Sequence, residues 1–199
     1  MPKKIKNQNP IIITTHGTDG ACSAAMLLQS FPKAEIRITS ARRIVFTLND
    51  LMVQNQKVKE VHICGVGLND DNLQTVLEIL ALLKKNRIKT FWYCGRGYLD
   101  PYLPKLDSLC HPVFIQCASN TQAVFKYHII RKVKQVDLLL KLAEQFVDPS
   151  LEKAQDHQFW HDLIKSSASK YFKYEESYSF IRTIQKLAGL IPVTDDDHD

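Results

Sequence analysis

Long apolar runs are absent from this 199-residue sequence. No stretch approaches the roughly 18 consecutive apolar residues that cross a bilayer as a helix. The N-terminal segment MPKKIKNQNP is basic but contains no apolar segment of the kind that signal peptidase requires. We therefore predict an intracellular, cytoplasmic protein that has no membrane partner.

Cysteine pairs are also missing, which excludes two common classes of site. The five cysteines occur singly, without any Cys-x-x-Cys spacing; they are Cys22, Cys64, Cys94, Cys110 and Cys117. A zinc ribbon or a disulfide framework needs paired cysteines at regular spacing. We expect all five thiols to be reduced and most of them to be buried.

Charge of one sign is concentrated at the two ends of the chain. The net charge of +5 includes a basic extension at residues 1–10 and an aspartate-rich acidic tail at 191–199. The tail is predicted to be disordered, because clustered like charges repel one another and bury little apolar surface. The body at residues 11–190 keeps a mild positive charge, which favours polyanionic partners. Its apolar content suffices for one packed domain.

Short apolar runs alternate with helical patterns over the first part of the chain. The run IIITT at 11–15 is apolar and β-branched throughout, which is typical of a strand buried on both faces of a parallel sheet. Similar runs recur at 34–40, 58–66, 87–94 and 111–118. This alternation predicts an α/β fold with a mostly parallel sheet of about five strands and helices on both faces. From Ser119 onward the pattern predicts a helical C-terminal third.

Four loops that follow the predicted strands are the expected location of a ligand site. In parallel sheets, ligands bind beyond the carboxyl ends of the strands. The loops are HGTDG, GVGLNDD, CGRGYLD and the segment after IQC. The first is a tight turn that leads into a helix beginning with small residues.

The first of these loops resembles the opening motif of the DHH (Asp-His-His) phosphoesterases, in particular the RecJ-like nucleases. In that family a strand ends in a His-x-Asp-x-Asp-Gly turn, and the next helix starts with Ser-Ala-type residues. The segment THGTDGACSAA matches in THG, TDG and CSAA. It is one residue shorter between His16 and Asp19 and lacks the first aspartate. The resemblance implies a DHH-like domain over residues 11–190, without room for the family's second, substrate-binding domain.

The later family motifs keep their positions, but their metal-binding residues have changed. Gly65 stands where the family has a bridging aspartate after a hydrophobic strand. Cys94, Gly95 and Arg96 occupy the three positions of the Asp-His-His motif. The segment LAEQFVD keeps the aspartate of a further motif at the end of a helix. The remaining candidates for metal ligands are His16, Asp19 and Asp148.

The resemblance implies two divalent cations, usually manganese, that activate a hydroxide for attack on phosphorus. Such a site needs hard oxygen ligands that hold the cations together and lower the pKa of bound water. Two bridging carboxylates and the histidine pair are missing here. The sequence therefore favours binding over catalysis, with manganese or magnesium at no more than a partly occupied site.

Nearby side chains could still rebuild a metal site and a manganese-dependent phosphodiesterase or exonuclease. These substitute ligands are His62, Asp70, Asp71, Asp100 and His111. The alternative for Asp70 and Asp71 is N-capping of the next helix. Asp100 precedes a proline and suits a turn.

Glycines and hydrogen-bond donors in the first and third loops predict a phosphate-binding surface. Arg96 places a permanent fork of donors where a metal ligand is expected, and flanking glycines let a ligand approach the backbone. The predicted phosphate-binding residues are Thr15, Gly17, Thr18, Gly20, Ser23, Gly95, Arg96 and Gly97. The alternatives are a flexible surface loop at the third position and a first helix capped by Thr18 or Asp19.

A basic and aromatic segment, FKYHIIRKVK, predicts a surface for single-stranded nucleic acid. Its cations are Lys126, Arg131, Lys132 and Lys134, with Tyr127 and His128 among them. Cations contact phosphates, and aromatic rings stack on bases. The alternative is a solvated basic helix face above an apolar stripe. His157 and His161 are expected on a surface or partly packed helix.

Together these features predict a DHH-like module that binds nucleic acid or a nucleotide without hydrolysing it. The module is expected to act with a protein partner in a complex for DNA replication, repair or defence. The alternatives are the rebuilt phosphodiesterase and a purely structural scaffold. A scaffold would present the aromatic residues of the helical third to its partner, although the default interpretation is that these residues pack onto the sheet. They are Phe159, Trp160, Tyr171, Phe172, Tyr174, Tyr178 and Phe180.

Overall fold

A five-stranded sheet, in which every strand is parallel to its neighbours, separates two layers of helices. The computed structural model describes residues 9–54, 58–95, 99–115, 117–128, 134–148, 150–151, 155–174 and 177–194. The strands are β1 (Ile11–Thr14), β2 (Glu35–Ile38), β3 (Glu60–Cys64), β4 (Lys89–Cys94) and β5 (His111–Phe114). The helices are α1 (Thr18–Ser30), α2 (Ile44–Gln54), α3 (Asp70–Lys85), α4 (Leu103–Leu106), α5 (Asn120–His128), α6 (Lys134–Val147), α7 (Gln155–Tyr174) and α8 (Ser177–Leu187). The predicted α/β fold, sheet and helical C-terminal third are confirmed.

Strand β1 is buried on both faces, as its sequence predicts. Ile11 and Ile13 belong to an apolar core shared with α2, α3 and α4. Ile12 points to the opposite face and belongs to a core shared with α1 and the C-terminal helices. Because side chains alternate along a strand, one apolar run supplies both cores.

Helix α1 is buried between the sheet and the C-terminal helices. It packs against β1 on one side and against α5, α6, α7 and α8 on the others. Small residues such as Ala21, Ala24 and Ala25 are fully buried and permit these close approaches. The helices of the C-terminal third therefore pack over α1. This packing accounts for the large apolar side chains of the C-terminal helices.

The aromatic residues that the scaffold hypothesis assigns to a partner surface differ in exposure. Trp160 and Phe180 are buried in the core shared with α1, as the packing alternative predicts, so these two residues are not part of an exposed surface. Phe159 is half-buried against the same core, whereas Tyr178 is 62% exposed. The side chains of Tyr171, Phe172 and Tyr174 lie outside the described residues.

Helix α3 begins with a capping box formed by two asparagines. The Asn69 side chain accepts from the Asn72 amide at 3.1 Å, and the Asn72 side chain accepts from the Asn69 amide at 3.4 Å. Asp70 and Asp71 lie in the first turn, where their charge is favourable to the helix dipole. The expected capping by these aspartates is wrong, because Asn69 occupies the cap position.

All five cysteines are free, and only Cys117 is partly exposed. Burial raises the pKa of Cys64 and of Cys110 to about 12, so both thiols are protonated at neutral pH.

None of the helices in the described ranges combines the length and apolar character that crossing a membrane requires.

Candidate functional site at the carboxyl ends of the strands

The candidate site lies where β1 and β3 end side by side. The strand order β2-β1-β3-β4-β5 places β2 on one side of β1 and all later strands on the other. In α/β sheets of this order, ligands bind in the crevice where the order reverses. Thr14 pairs with Cys64 at the ends of these strands, so the loops HGTDG and GVGLNDD meet there.

Backbone atoms fill the space between these two loops. A Cβ atom on Gly65 would lie 3.2 Å from the Cα of Gly20, and one on Gly20 would lie 2.6 Å from the carbonyl oxygen of Thr15. Gly65 also has a φ of 71°, which residues with side chains rarely adopt. The position that the resemblance assigns to a bridging aspartate is therefore held by glycine for two separate physical reasons.

Gly95, at the carboxyl end of β4, is in still closer contact with the backbone before α5. A Cβ atom there would lie 2.1 Å from the carbonyl oxygen of Ser119. The Gly95 amide donates to Asn120 Oδ1 at 3.1 Å. This amide is thus engaged within the protein and is not presented to a phosphate, contrary to the prediction. Arg96 and Gly97 lie outside the described residues.

Asp19 is buried at the start of α1 and uses both carboxylate oxygens to bind the start of α5. Its Oδ1 accepts from the amide and hydroxyl of Thr121 at 3.0 and 2.8 Å. Its Oδ2 accepts from the amide and side-chain nitrogen of Asn120 at 3.0 and 2.6 Å. Asp19 therefore caps α5 from a distant part of the chain. Four hydrogen bonds leave little lone-pair capacity for a metal ion.

Ser23 lies behind this connection and is fully buried. Its hydroxyl donates to the Asp19 carbonyl oxygen at 2.6 Å and lies 3.2 Å from the Thr121 hydroxyl. A ligand in the crevice cannot reach this hydroxyl, contrary to the prediction. Ser23 instead reinforces the contact between α1 and α5.

Two adjoining clefts open beside this closed centre, and we call them together the α1 cleft. The smaller has a volume of about 250 Å³ and is lined by Thr15, Gly17, Asp19, Gly20, Gly65, Asn120 and Phe146. The larger has a volume of about 580 Å³, and its polar lining consists of His16, Thr18, Gln158, His161, Asp162, Lys165 and Ser169. Gly17 and Phe146 line both. Four of the predicted phosphate-binding residues thus lie on one surface: Thr15, Gly17, Thr18 and Gly20.

The amino end of α1 meets the α1 cleft without a capping side chain. Gly17 is the N-cap residue, and because glycine has no side chain, the cap position makes no side-chain hydrogen bond to the first turn of α1. The expected capping by Thr18 or Asp19 is therefore wrong, because the Asp19 carboxylate is directed to α5. The first amides of a helix have no partner within the helix and attract anions.

Helix α7 supplies the charged side chains of the cleft. Lys165 and Asp162 are both exposed there, and Gln158 donates to the two carboxylate oxygens of Asp162 at 2.9 and 3.0 Å. Burial lowers the pKa of His16 from its usual value, so this imidazole is mostly neutral at pH 7.

Sequence reasoning missed the contribution of α7 to the cleft. The available signal was the spacing of His157 and His161, which places both on one side of a helix. His161 lines the cleft, whereas His157 lies 2.9 Å from the Gln145 side chain. Sequence alone could not show that α7 folds back over the first loop.

The three retained candidates for metal ligands do not come together. His16 and Asp19 line different parts of the α1 cleft. The exposed Asp148 carboxylate accepts from the amide and hydroxyl of Ser150 at 3.0 and 2.6 Å, and these bonds lower its pKa. Across the described ranges, no group of three or more His, Cys, Asp or Glu residues could hold a metal ion. These donors do not fit the pair of divalent cations that the resemblance implies.

The substitute metal ligands are also dispersed. Asp70 accepts from the Tyr102 hydroxyl at 3.1 Å, and Asp100 begins a short 3-10 helix before α4. His62 is fully buried in the middle of β3, and His111 begins β5 at the opposite end of the sheet. Their positions do not support a rebuilt site.

A chain of four polar side chains, the histidine relay, runs from Glu60 at the start of β3 through His62 and Tyr93 to His128 at the end of α5. His62 Nε2 lies 3.0 Å from Glu60 Oε1, His62 Nδ1 lies 2.8 Å from the Tyr93 hydroxyl, and this hydroxyl lies 2.6 Å from His128 Nε2. Burial raises the pKa of Tyr93 and lowers the pKa of His128 to about 4. The hydrogen bond from His62 lowers the pKa of Glu60. No sequence motif identifies these residues, which come from two strands and a helix.

The predicted basic and aromatic face begins beside this relay. Lys126 is exposed, and Tyr127 is 45% exposed at the end of α5. Lys134 begins α6. Arg131, Lys132 and the side chain of Lys134 lie outside what the structure describes, so the prediction for these three stays a prediction.

Comparison with known proteins identifies a similar fold without a function. No family model and no curated protein matches the chain. The crystal structure of an uncharacterized protein from Helicobacter pylori G27 is similar over 95% of this chain and 67% of that chain, with a TM-score of 0.58 and 11% sequence identity. A likeness at this identity supports the fold alone.

Proposed function

We propose that this chain is an intracellular DHH-like module that binds the phosphate groups of a nucleotide or single-stranded nucleic acid in the α1 cleft without hydrolysing them. The observation that carries the proposal is that the Asp19 carboxylate binds the start of α5. The carboxylate that the resemblance assigns to metal binding accepts four hydrogen bonds from α5. A metal ion at Asp19 would have to compete with these donors and release the start of α5.

The glycine contacts support the same conclusion independently. Gly65 and Gly95 occupy positions where the resemblance implies metal ligands, and backbone atoms take up the space a side chain would need. Restoring the family residues by substitution would therefore disturb the packing before it created a site. This supports binding over two-metal hydrolysis.

The α1 cleft has features that suit a phosphate group. Gly17 leaves the amino end of α1 open, and partly charged amides at a helix start favour anions. Lys165 brings a cation to the same cleft, and the nearby Asp162 carboxylate is hydrogen-bonded to Gln158. His16 supplies a further polar group. Gly17 at the amino end of α1, Lys165 and His16 all line one cleft, in which a phosphate group would bind.

Binding can be tested with a fluorescently labelled oligonucleotide of about ten nucleotides, titrated by anisotropy at several salt concentrations. We expect salt-dependent binding, which Lys165→Gln weakens about threefold to tenfold and with a smaller salt slope. Lys170→Gln is the matched control, because Lys170 is also exposed on α7 but does not line the cleft. Equal affinities for the two variants would contradict the proposed site. Failure of the unmodified protein to bind oligonucleotides or nucleotides at low salt would contradict the function.

A structural scaffold is the second candidate, and exposed apolar residues on α2 favour it. Phe46 is 68% exposed and Val53 is 83% exposed, one heptad apart on the same helix. This location differs from the helical third that the sequence suggested. Retention of a stoichiometric protein partner that is lost with Phe46→Ser and kept with Lys165→Gln would support the scaffold.

A further inference from the structure

Four planar rings form a continuous stack across the amino half of the sheet. The centroid distances are 4.7 Å from Phe31 to His62, 5.2 Å from His62 to Phe91 and 5.1 Å from Phe91 to His111. The last three residues are direct neighbours in the register of β3, β4 and β5. The interplanar angle is 37° between Phe31 and His62, and 10° and 26° between the later neighbours, so His62, Phe91 and His111 form the nearly parallel part of the stack.

The stack leads from the core to the open edge of the sheet. His62 is fully buried, Phe91 is half-buried and His111 is exposed. His111 lies on β5, which is the last strand in the sheet order. Among the described residues, its only ring neighbour is Phe91, so a further planar group could continue the stack beyond His111.

Neighbouring side chains give this edge the character of a nucleobase site. Tyr127 lies 5.9 Å from Phe91 and keeps 45% of its surface exposed. Lys89 lies on the same side of β4 as Phe91, two residues away, and its side chain is exposed. Two acidic groups are near: Glu60, whose carboxylate lies 3.0 Å from His62, and Asp107, which lines a cavity together with Lys89 and His111. Aromatic rings beside an exposed cation suit a base and its phosphate.

The histidine relay holds this surface in place. The Tyr93 hydroxyl can donate to His62 Nδ1 and accept from His128 Nε2, and His62 Nε2 lies 3.0 Å from Glu60 Oε1. This assignment follows from the network of donors and acceptors. These contacts hold the His62 ring at the buried end of the stack.

We propose that a base of single-stranded nucleic acid stacks on the outer face of His111, beside Tyr127, with its phosphate at Lys89. The proposal rests on the proposed function in assuming a nucleic-acid ligand, and it specifies a polynucleotide. His111 pairs with Phe91, which pairs with His62, two residues before the end of β3. At about 3.3 Å per residue along a strand and about 4.8 Å between strands, His111 lies roughly 12 Å from the end of β3. The α1 cleft and the outer face of His111 are thus separate surfaces, and a strand of several nucleotides is the ligand that contacts both.

The test uses an oligonucleotide that carries 2-aminopurine, whose fluorescence falls when the base stacks. We expect the intact protein to quench the probe. His111→Ala should weaken binding about tenfold and remove most of the quenching, while His111→Phe, which keeps a planar ring, restores both. Tyr127→Ala should have a smaller effect in the same direction. The control is Tyr178→Ala, which removes an exposed tyrosine of α8 outside this surface.

The outcomes separate this inference from the proposed function. Unchanged affinity and quenching with His111→Ala, together with weaker binding by Lys165→Gln, would overturn the stacking site and leave the α1 cleft. Equal competition by an abasic oligonucleotide of the same length would also overturn it, because only phosphates would then be recognised. Loss of binding with His111→Ala but not with Lys165→Gln would support stacking and contradict the cleft.

Discussion

Near the ends of β1 and β3, polar side chains bind both the backbone and the side chains at the start of a helix, whereas in the histidine relay they contact other side chains. Asp19 accepts hydrogen bonds from the backbone amides and from the side chains of Asn120 and Thr121 in α5. The relay from Glu60 to His128 links four side chains through three contacts. The first arrangement closes the space where the resemblance places metals, and the second supports an aromatic surface. Features that mark a site in the sequence need not mark it in the fold.

The largest expected effect is at Gly95. Substitution with alanine places a Cβ atom 2.1 Å from the Ser119 carbonyl oxygen, and this backbone cannot move without α5. We expect Gly95→Ala to lower the free energy of unfolding by about 3 kcal/mol or more, measured by urea denaturation. Gly17→Ala is the control, because nothing lies within 4 Å of its Cβ position and φ is −89°. Similar stabilities for the two variants would contradict the described contact.

Asp19→Ala should have the next largest effect. It leaves the amides and side chains of Asn120 and Thr121 without their acceptor in a buried position. We expect a loss of about 2–4 kcal/mol in unfolding free energy, measured without added metal. A metal ligand with no structural role would instead leave stability unchanged in the presence of EDTA, and that result would contradict the capping of α5.

The relay predicts a pH dependence of stability that adds to the one expected from His16, whose pKa burial also lowers. Burial lowers the folded-state pKa of His128 to about 4 from 6.5, so the unfolded chain binds this proton more readily. Its contribution to stability is present above pH 6.5 and is lost as pH falls towards 4. Because His128 is partly exposed, we expect the free energy of unfolding to fall by only about 1 kcal/mol between pH 6.5 and pH 4. Thermal unfolding between pH 6.5 and 5 avoids the titration of Glu60, whose pKa is lowered from 4.5.

His128→Gln sharpens the pH measurement, because its amide nitrogen can replace Nε2 as the donor to Tyr93. The variant should be less sensitive to pH than the unmodified protein over the same range. An unchanged pH slope would show that another group titrates. Lys89, Tyr127 and His62 are the other ionisable groups near this position.

The smallest effect is expected at Asp148. Its carboxylate is exposed, and among the described residues only Ser150 donates hydrogen bonds to it. Asp148→Asn should leave the melting temperature and the oligonucleotide affinity unchanged, in manganese or in EDTA. A manganese-dependent difference in affinity would restore Asp148 as a metal ligand.

The fold could be predicted because it depends on local periodicity. Apolar runs such as 11–15 specify buried parallel strands, and their alternation with helical segments specifies crossovers. The position of Thr15, Gly17 and Gly20 at a crevice also followed, because strand ends locate loops.

The chemistry of the site could not be predicted, because its decisive contacts join distant residues. The carboxylate of Asp19 meets residues about one hundred positions later in the chain. The contact of Gly95 with Ser119 depends on how α5 packs. Neither contact leaves a motif, so a retained aspartate could not be distinguished from a metal ligand.

The most direct test of the account is a time course with a labelled single-stranded oligonucleotide at saturating protein in manganese. The account predicts that the oligonucleotide is bound and stays intact, with the same affinity in EDTA. Release of mononucleotides at a rate that scales with protein concentration and is abolished by Asp19→Asn would contradict it.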